Sequence, residues 1–199
     1  FDPEFAVRGN VGKYGEQGAS AMANGALVDG VMAGRIAVDY QTQDGYIDNA
    51  TLNKDANLLR TSNVRGKLLI LPSDEAELLL TLARTEQRSG VNAVAATAGK
   101  PDYFKLYENT ETHNTLEQTT ATARLDYDLS DSLVLTSVTS GTWSEYPSVL
   151  DFDRLPTVTQ TSPRHHEQSL ASQELRLGYS SDQLDGLVGL YLGRSSGKI

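Results

Sequence analysis

The sequence predicts an all-β chain, an antiparallel meander that forms part of a transmembrane β-barrel of the outer-membrane type. Three observations predict it. Apolar and polar residues alternate with period two through segments of about ten residues. The connectors between these segments are alternately tight turns and long polar stretches. No run approaches the roughly 18 uncharged apolar residues that a membrane-spanning helix needs. A spanning strand needs only about 9 to 11 residues and shows the bilayer one face, so it lowers average hydropathy. A mean hydropathy of −0.37 and a hydrophobic content of 39% are therefore compatible with a membrane wall.

About nine strands are expected, beginning near Phe5, Ser20, Met32, Thr61, Ala76, Thr119, Ser132, Ser169 and Gly186. In 32–41, Met32, Gly34, Ile36, Val38 and Tyr40 share one face, opposed by Ala33, Arg35, Ala37, Asp39 and Gln41. The stretch 64–71 alternates more weakly, with Arg65 and Lys67 on one face. The segment 72–88 is contested, because its Ala, Leu and Glu density and its Asp74 to Glu77 capping-box pattern suit a helix. Its neighbours make a hairpin meander, so a strand is expected there too, with Leu78, Leu80 and Leu82 on one face. The pattern is cleanest in 120–129, where Ala121, Ala123, Leu125, Tyr127 and Leu129 oppose Thr120, Thr122, Arg124, Asp126 and Asp128. In 170–179, Glu174 and Arg176 fall on the polar face.

Short turns are read at 28–30, 72–75, 130–132 and 180–185, where Asp, Ser, Pro and Gly supply turn conformations. Long loops are read near 42–60, 88–118 and 144–169, and the asymmetry places them outside the cell. No repeat, low-complexity tract or composition break divides residues 1–199. An odd, unclosed set of strands leaves edges that lipid cannot satisfy, so further strands are expected beyond Ile199. The chain opens on Phe1 without an initiator Met or signal core, as a mature product or a fragment would.

A formal charge of −9 disfavours a phosphate-tracking surface, so nucleic acid is not an expected partner. The absence of cysteine removes disulfide frameworks and thiolate metal sites. No Gly-x-Ser-x-Gly, Walker loop or His-Glu-x-x-His pattern occurs, so neither an enzyme nor a cofactor is expected.

Several strings, in order, resemble the N-terminal part of the barrel of TonB-dependent outer-membrane receptors. They are Asn24-Gly25-Ala26-Leu27, Gly34-Arg35-Ile36-Ala37, Asp44-Gly45-Tyr46-Ile47-Asp48-Asn49, Arg65-Gly66-Lys67-Leu68-Leu69, the run from Leu133 to Ser140, Ser172-Gln173-Glu174-Leu175-Arg176-Leu177, and Val188-Gly189-Leu190-Tyr191. The resemblance implies a 22-stranded barrel of the bacterial outer membrane around a plug domain, driven through a TonB box by an inner-membrane complex. It further implies uptake of a scarce metal chelate, foremost a ferric siderophore, by loop capture and plug rearrangement. Neither plug nor TonB box is found in the chain, which is expected to be truncated at both ends and not to transport by itself.

Arg35, Arg65, Arg124, Glu174 and Arg176 fall on the inferred lumen faces, where they could meet plug carboxylates or pair across strands. An ordinary hydrated lumen competes with that reading, favoured by the weakness of exposed ion pairs. Trp143, Tyr146 and Phe152 bracket a long loop carrying Asp151 and Asp153, and the five could contact an extracellular substrate, with simple loop packing as the competing reading. His113, His165 and His166, with Glu111 and Glu167 beside them, are competent metal ligands, but adjacent His residues on a strand point apart and no metal site is assigned. Tyr14, Tyr40, Tyr127, Tyr179 and Tyr191 suit an aromatic girdle. The alternatives are a soluble all-β binding module, whose apolar faces would meet in a closed core, and a passive porin.

Overall fold

The computed structural model describes residues 2–90, 104–151, 155–157 and 161–198. Its strands are β1 (Glu4–Val11), β2 (Gln17–Val28), β3 (Met32–Gln43), β4 (Ile47–Asn49), β5 (Lys54–Ala56), β6 (Leu59–Ser73), β7 (Ala76–Gly90), β8 (Lys105–Leu106), β9 (His113–Ser130), β10 (Leu133–Glu145), β11 (Ser148–Asp151), β12 (Thr161–Arg164), β13 (Glu167–Ser180) and β14 (Asp185–Lys198). The long strands pair antiparallel in the order β1-β2-β3-β6-β7-β9-β10-β13-β14. Every long strand thus neighbours its sequence predecessor among the long ones, the meander that short turns and returning loops enforce.

The contested segment is a strand: β7 pairs from Leu59↔Ser89 to Ser73↔Ala76 with β6, and from Ala76↔Tyr127 to Gly90↔His113 with β9. Helix propensity loses here because two flanking ladders satisfy its backbone and its alternate leucines fit a two-sided wall. The strands also run further into the long connectors than the hydropathy pattern suggests, with β9 reaching 18 residues. At about 3.4 Å per residue β9 is roughly 60 Å long, more than a tilted membrane crossing needs, so its loop-side end projects beyond the bilayer.

Register sorts every side chain to one of two faces. On the polar face, Arg35 is level with Asn24 and Lys67, Lys67 with Thr81, Thr81 with Thr122, Thr122 with Ser140 and Ser140 with Ser172. On the other, Leu80 is level with Leu68 and Ala123, and Leu78 is level with Leu125, which faces Ser137 and through it Leu175 and Leu190. Ile36, Val38, Val64, Leu82, Leu175, Val188, Leu190 and Leu192 all lie on this second face and all stay exposed. Among the described residues only Ile47 and Leu106 are buried apolar side chains. Among the described residues the sheet is a single layer with no second sheet packed on its apolar face, the arrangement of a barrel wall and not of a sandwich.

Aromatic residues bound that apolar face. Tyr127 and Tyr179 stand at the short-turn end, Tyr40 and Trp143 at the loop end. Eight residues of β10 separate Leu135, level with Tyr127, from Trp143. With a tilt near 40° that is roughly 21 Å of height, close to the apolar band about 25 Å tall of outer-membrane barrels. Tyr191 does not join the girdle: its register partner is Glu174, on the polar face.

Candidate functional site

Two regions collect chemistry-bearing side chains: the polar wall and the layer of loops above it. On the wall, Arg35, Arg65, Arg124, Glu174 and Arg176 all share the polar face, since Arg35 is level with Lys67, Arg65 with Ala37, Arg124 with Val138 and Arg176 with Thr136. They form two unlike groups. Arg124 donates to both oxygens of Asp126, at 2.6 and 3.1 Å, and Thr136 donates to Asp126 at 2.6 Å. Arg176 donates to Glu174 at 2.7 Å. Each pair spans two positions of one strand, the spacing that returns a side chain to the same face.

The second group is unpaired. Arg35, Arg65 and Lys67 have no ion pair or side-chain hydrogen bond among the described residues, while Asp39 accepts only a 3.3 Å bond from Asn63. Arg8, Arg35 and Arg65 border a groove of about 540 Å³ that also touches Asp39 and Asn63. Three like charges facing open space on one wall repel each other and attract a partner carrying carboxylates.

Above the wall, the loop after β3 and the residues before β9 build a second, small sheet in the order β5-β4-β8, with β4 and β8 parallel. Ile47, Asn49, Leu106 and Glu108 are buried in it. The Asn49 amide donates to Glu108 O at 3.0 Å, and its oxygen accepts from Thr51 N and Leu52 N at 3.1 and 3.2 Å. The formal sequon at Asn49 is thus consumed in a joint between two loops. Lys54 and Glu111 approach to 2.5 Å, and Arg88 reaches Glu111 at 3.5 Å. The Lys54 ammonium, bonded to Glu111, holds its carboxyl below the usual carboxylate range.

This layer presents an exposed aromatic row. The Tyr14 and Tyr46 rings lie 5.4 Å apart, and Tyr46 and Phe104 lie 6.3 Å apart near edge-to-face, so three separate connections contribute one ring each. Tyr46 is pinned from behind, because Asn57 Oδ1 accepts from Tyr46 N and Ile47 N, both at 3.0 Å. Gly45 makes the approach with φ of +108°, where a Cβ would drive into Ala56 O. Tyr14 itself sits at φ of +61°, uncommon for a bulky residue, and its carbonyl accepts from Asp44 N at 3.0 Å.

The expected loop contacts do not gather at that row. Trp143 points from the apolar face and lies over Gly141, with its ring atom Cη2 2.7 Å from where a Cβ there would stand. Tyr146 follows β10, tied by its N–H to His166 O at 2.8 Å, and Asp151 is buried at the end of β11. Phe152 and Asp153 lie outside the described residues. His165 is 3.3 Å from Glu167 and 3.9 Å from Glu145, both exposed pairs, and no group of three metal-competent side chains occurs among the described residues. The aromatic row and the β4-β5-β8 sheet escape sequence reasoning because their partners are up to about 60 positions apart, as in the Asn49 to Glu108 bond. Only the Gly45-Tyr46 pair and the left-handed Asn57 hint at them.

No family model matches the sequence. Solved structures do match the fold. The chain is similar to the ferric yersiniabactin uptake receptor FyuA from Yersinia pestis, with TM-score 0.80 and 19% identity over 99% of this chain and 32% of that one. It is similar to the ferric-catecholate import receptor Fiu from E. coli K12, with TM-score 0.77 and 13% identity over 98% of this chain and 34% of that one. The siderophore receptor PiuA from Acinetobacter baumannii gives TM-score 0.70 and 13% identity over 98% and 30%. The chain spans about a third of the length of the receptors it matches, and its strands have the fold of part of their barrel wall.

Proposed function

We propose that this chain is part of the barrel of a TonB-dependent receptor of the bacterial outer membrane that takes up a scarce metal chelate, with a ferric siderophore as the substrate class. The observation that supports this reading best is a coreless sheet, apolar on one face and polar on the other, that superimposes along its whole length on siderophore receptor barrels. Transport here needs no covalent step. The exposed Tyr14, Tyr46 and Phe104 rings offer flat, polarizable surface to an aromatic or chelated ligand at the loop end. The unpaired Arg8, Arg35, Arg65 and Lys67 face the lumen, where a plug domain bearing carboxylates would dock.

The test is uptake and binding by the complete receptor that carries this segment. Radiolabelled ferric siderophores are offered to cells with and without an intact TonB complex, together with Tyr46→Ala and Phe104→Ala variants. Energy-dependent uptake of one chelate is expected, with affinity about two- to tenfold weaker in each variant, the worth of an aromatic contact. Flux that persists without TonB and shows no saturation would instead identify a passive porin.

A further inference from the structure

The apolar face is not uniform. Between the leucines of β6 and β7 and the indole of Trp143 lies a groove of about 660 Å³ whose floor is made of small residues: Gly66, Ala121, Ala123, Gly141 and Ala171. Their register makes the floor continuous, since Gly66 is level with Leu82, Leu82 with Ala121, Ala121 with Gly141 and Gly141 with Ala171. Of the polar side chains that line it, Thr139 donates to Gln173 at 2.5 Å, Thr122 and Ser140 bond each other at 3.3 Å, and Lys67 and Thr81 belong by register to the opposite face. The groove is therefore dry in character and suits an alkyl chain.

A second hollow of about 390 Å³ continues past Trp143 toward the loops, and its lining is charged: Arg84, Glu117, Glu145, Glu167 and Lys198. Register sets Glu86, Glu117, Glu145, Glu167 and Lys198 side by side across five strands, two residues beyond the Trp143 row. Arg84 satisfies Glu86 and Glu117, at 2.7 and 2.9 Å. Glu145 and Glu167 face each other directly, and among the described residues their one ion-pair partner is His165, whose ring is charged only if protonated. Directly opposed like charges on a sheet are unfavourable unless something cationic sits between them. Lys198 stands opposite Glu167 without an ion pair among the described residues, and Arg194 lies two rows deeper on the same edge strand.

We infer that the outward face carries a site for one zwitterionic lipid, an acyl chain in the groove and a phosphate bearing a primary ammonium in the charged hollow. Trp143 marks the boundary between the two halves. The ammonium bridges Glu145 and Glu167, and the phosphate meets Lys198. A headgroup with phosphate alone would face three carboxylates and is disfavoured. The inference rests on the membrane reading above, though not on the identity of the chelate.

Native mass spectrometry of the complete barrel, released from mild detergent with equal amounts of palmitoyl-oleoyl phosphatidylethanolamine and the same-chain phosphatidylglycerol, tests it. The expected result is one retained ethanolamine lipid, favoured about three- to tenfold over the glycerol lipid, the range of two exposed ion contacts. Ala121→Leu, which fills the floor from the lipid side, is expected to abolish retention of both lipids. Glu145→Gln with Glu167→Gln is expected to keep the chain bound and erase the preference. Heat-modifiable electrophoretic mobility confirms that each variant is folded. Equal retention of the two lipids, or no effect of Ala121→Leu, would overturn the inference, as would a mass of two barrels with the groove closed to lipid. A protein monodisperse without detergent fails the membrane reading first, whereas a folded barrel lacking lipid preference fails only this site.

Discussion

Replacing Leu80 by Arg asks the apolar face to carry a charge at its middle. Leu80 stands four residues along β7 from Ala76, level with the Tyr127 girdle, and four from Arg84, level with Thr119 and through it with Trp143. It is therefore at the centre of the band. An Arg on the lipid face at the bilayer midplane costs a transmembrane barrel about 2–4 kcal/mol, falling to about 0–1 kcal/mol near the interface. Thr81, one residue on, has the same depth and the opposite face, level with Lys67 and Thr122. Thr81→Arg is accordingly expected to cost less than about 1 kcal/mol, its guanidinium entering hydrated space. A Leu80→Ala control isolates the lost packing from the buried charge. Urea unfolding of the complete barrel in lipid vesicles, followed by tryptophan fluorescence, measures all three. Equal costs for Leu80→Arg and Thr81→Arg, or a larger cost at Thr81, would refute the assignment of faces.

Asn57→Ala removes the acceptor of Tyr46 N and Ile47 N and replaces an Asn at φ of +46°; hydrogen exchange of those two amides is expected to rise, with a local loss of about 1–3 kcal/mol. The Lys54 to Glu111 pair gives the loops a pH dependence. Because the folded carboxyl titrates below its ordinary value of 4.5, the contribution is complete above that value and is lost as pH falls through the depressed one. Exchange protection around Lys54 should drop below about pH 4.5 and lose this step in Glu111→Gln. Arg124→Ala leaves Asp126 with Thr136 alone as its side-chain partner on an exposed wall, so a double-mutant cycle with Asp126→Ala should return a coupling of about 0.2–1 kcal/mol; a value of several kcal/mol would mean the pair is shielded from water.

What the sequence made legible was whatever depends on period and local turn chemistry. The alternation in 32–41 and 120–129 placed β3 and β9 and their faces, and eight of the nine expected strand starts lie within three residues of the observed ones, while β9 begins at His113, six residues before the expected Thr119. The strand at 76–90 was harder, because leucine-rich alternation and helix propensity overlap there, and only pairing on both sides decides it. The polar-wall charges were readable for the same reason, since period two assigns a face. Trp143 was not: it is near a loop in sequence, yet its parity with Gly141 turns it toward lipid. The Tyr14, Tyr46 and Phe104 row and the small sheet of β4, β5 and β8 depend on contacts between different loops, to which no periodicity points.

The arrangement of a lipid-facing and a lumen-facing side on one layer of strands is most directly tested by a nitroxide scan of β7. These residues contain no cysteine, so in a complete barrel whose cysteines elsewhere have been replaced, single cysteines from 77 to 86 can be labelled without background after reconstitution in bilayers. Collision with oxygen, which concentrates in lipid, should peak at 78, 80 and 82, and collision with a polar nickel chelate at 77, 79, 81 and 83. A scan without two-residue alternation, or with oxygen favouring the odd positions, would contradict a membrane wall built from these strands.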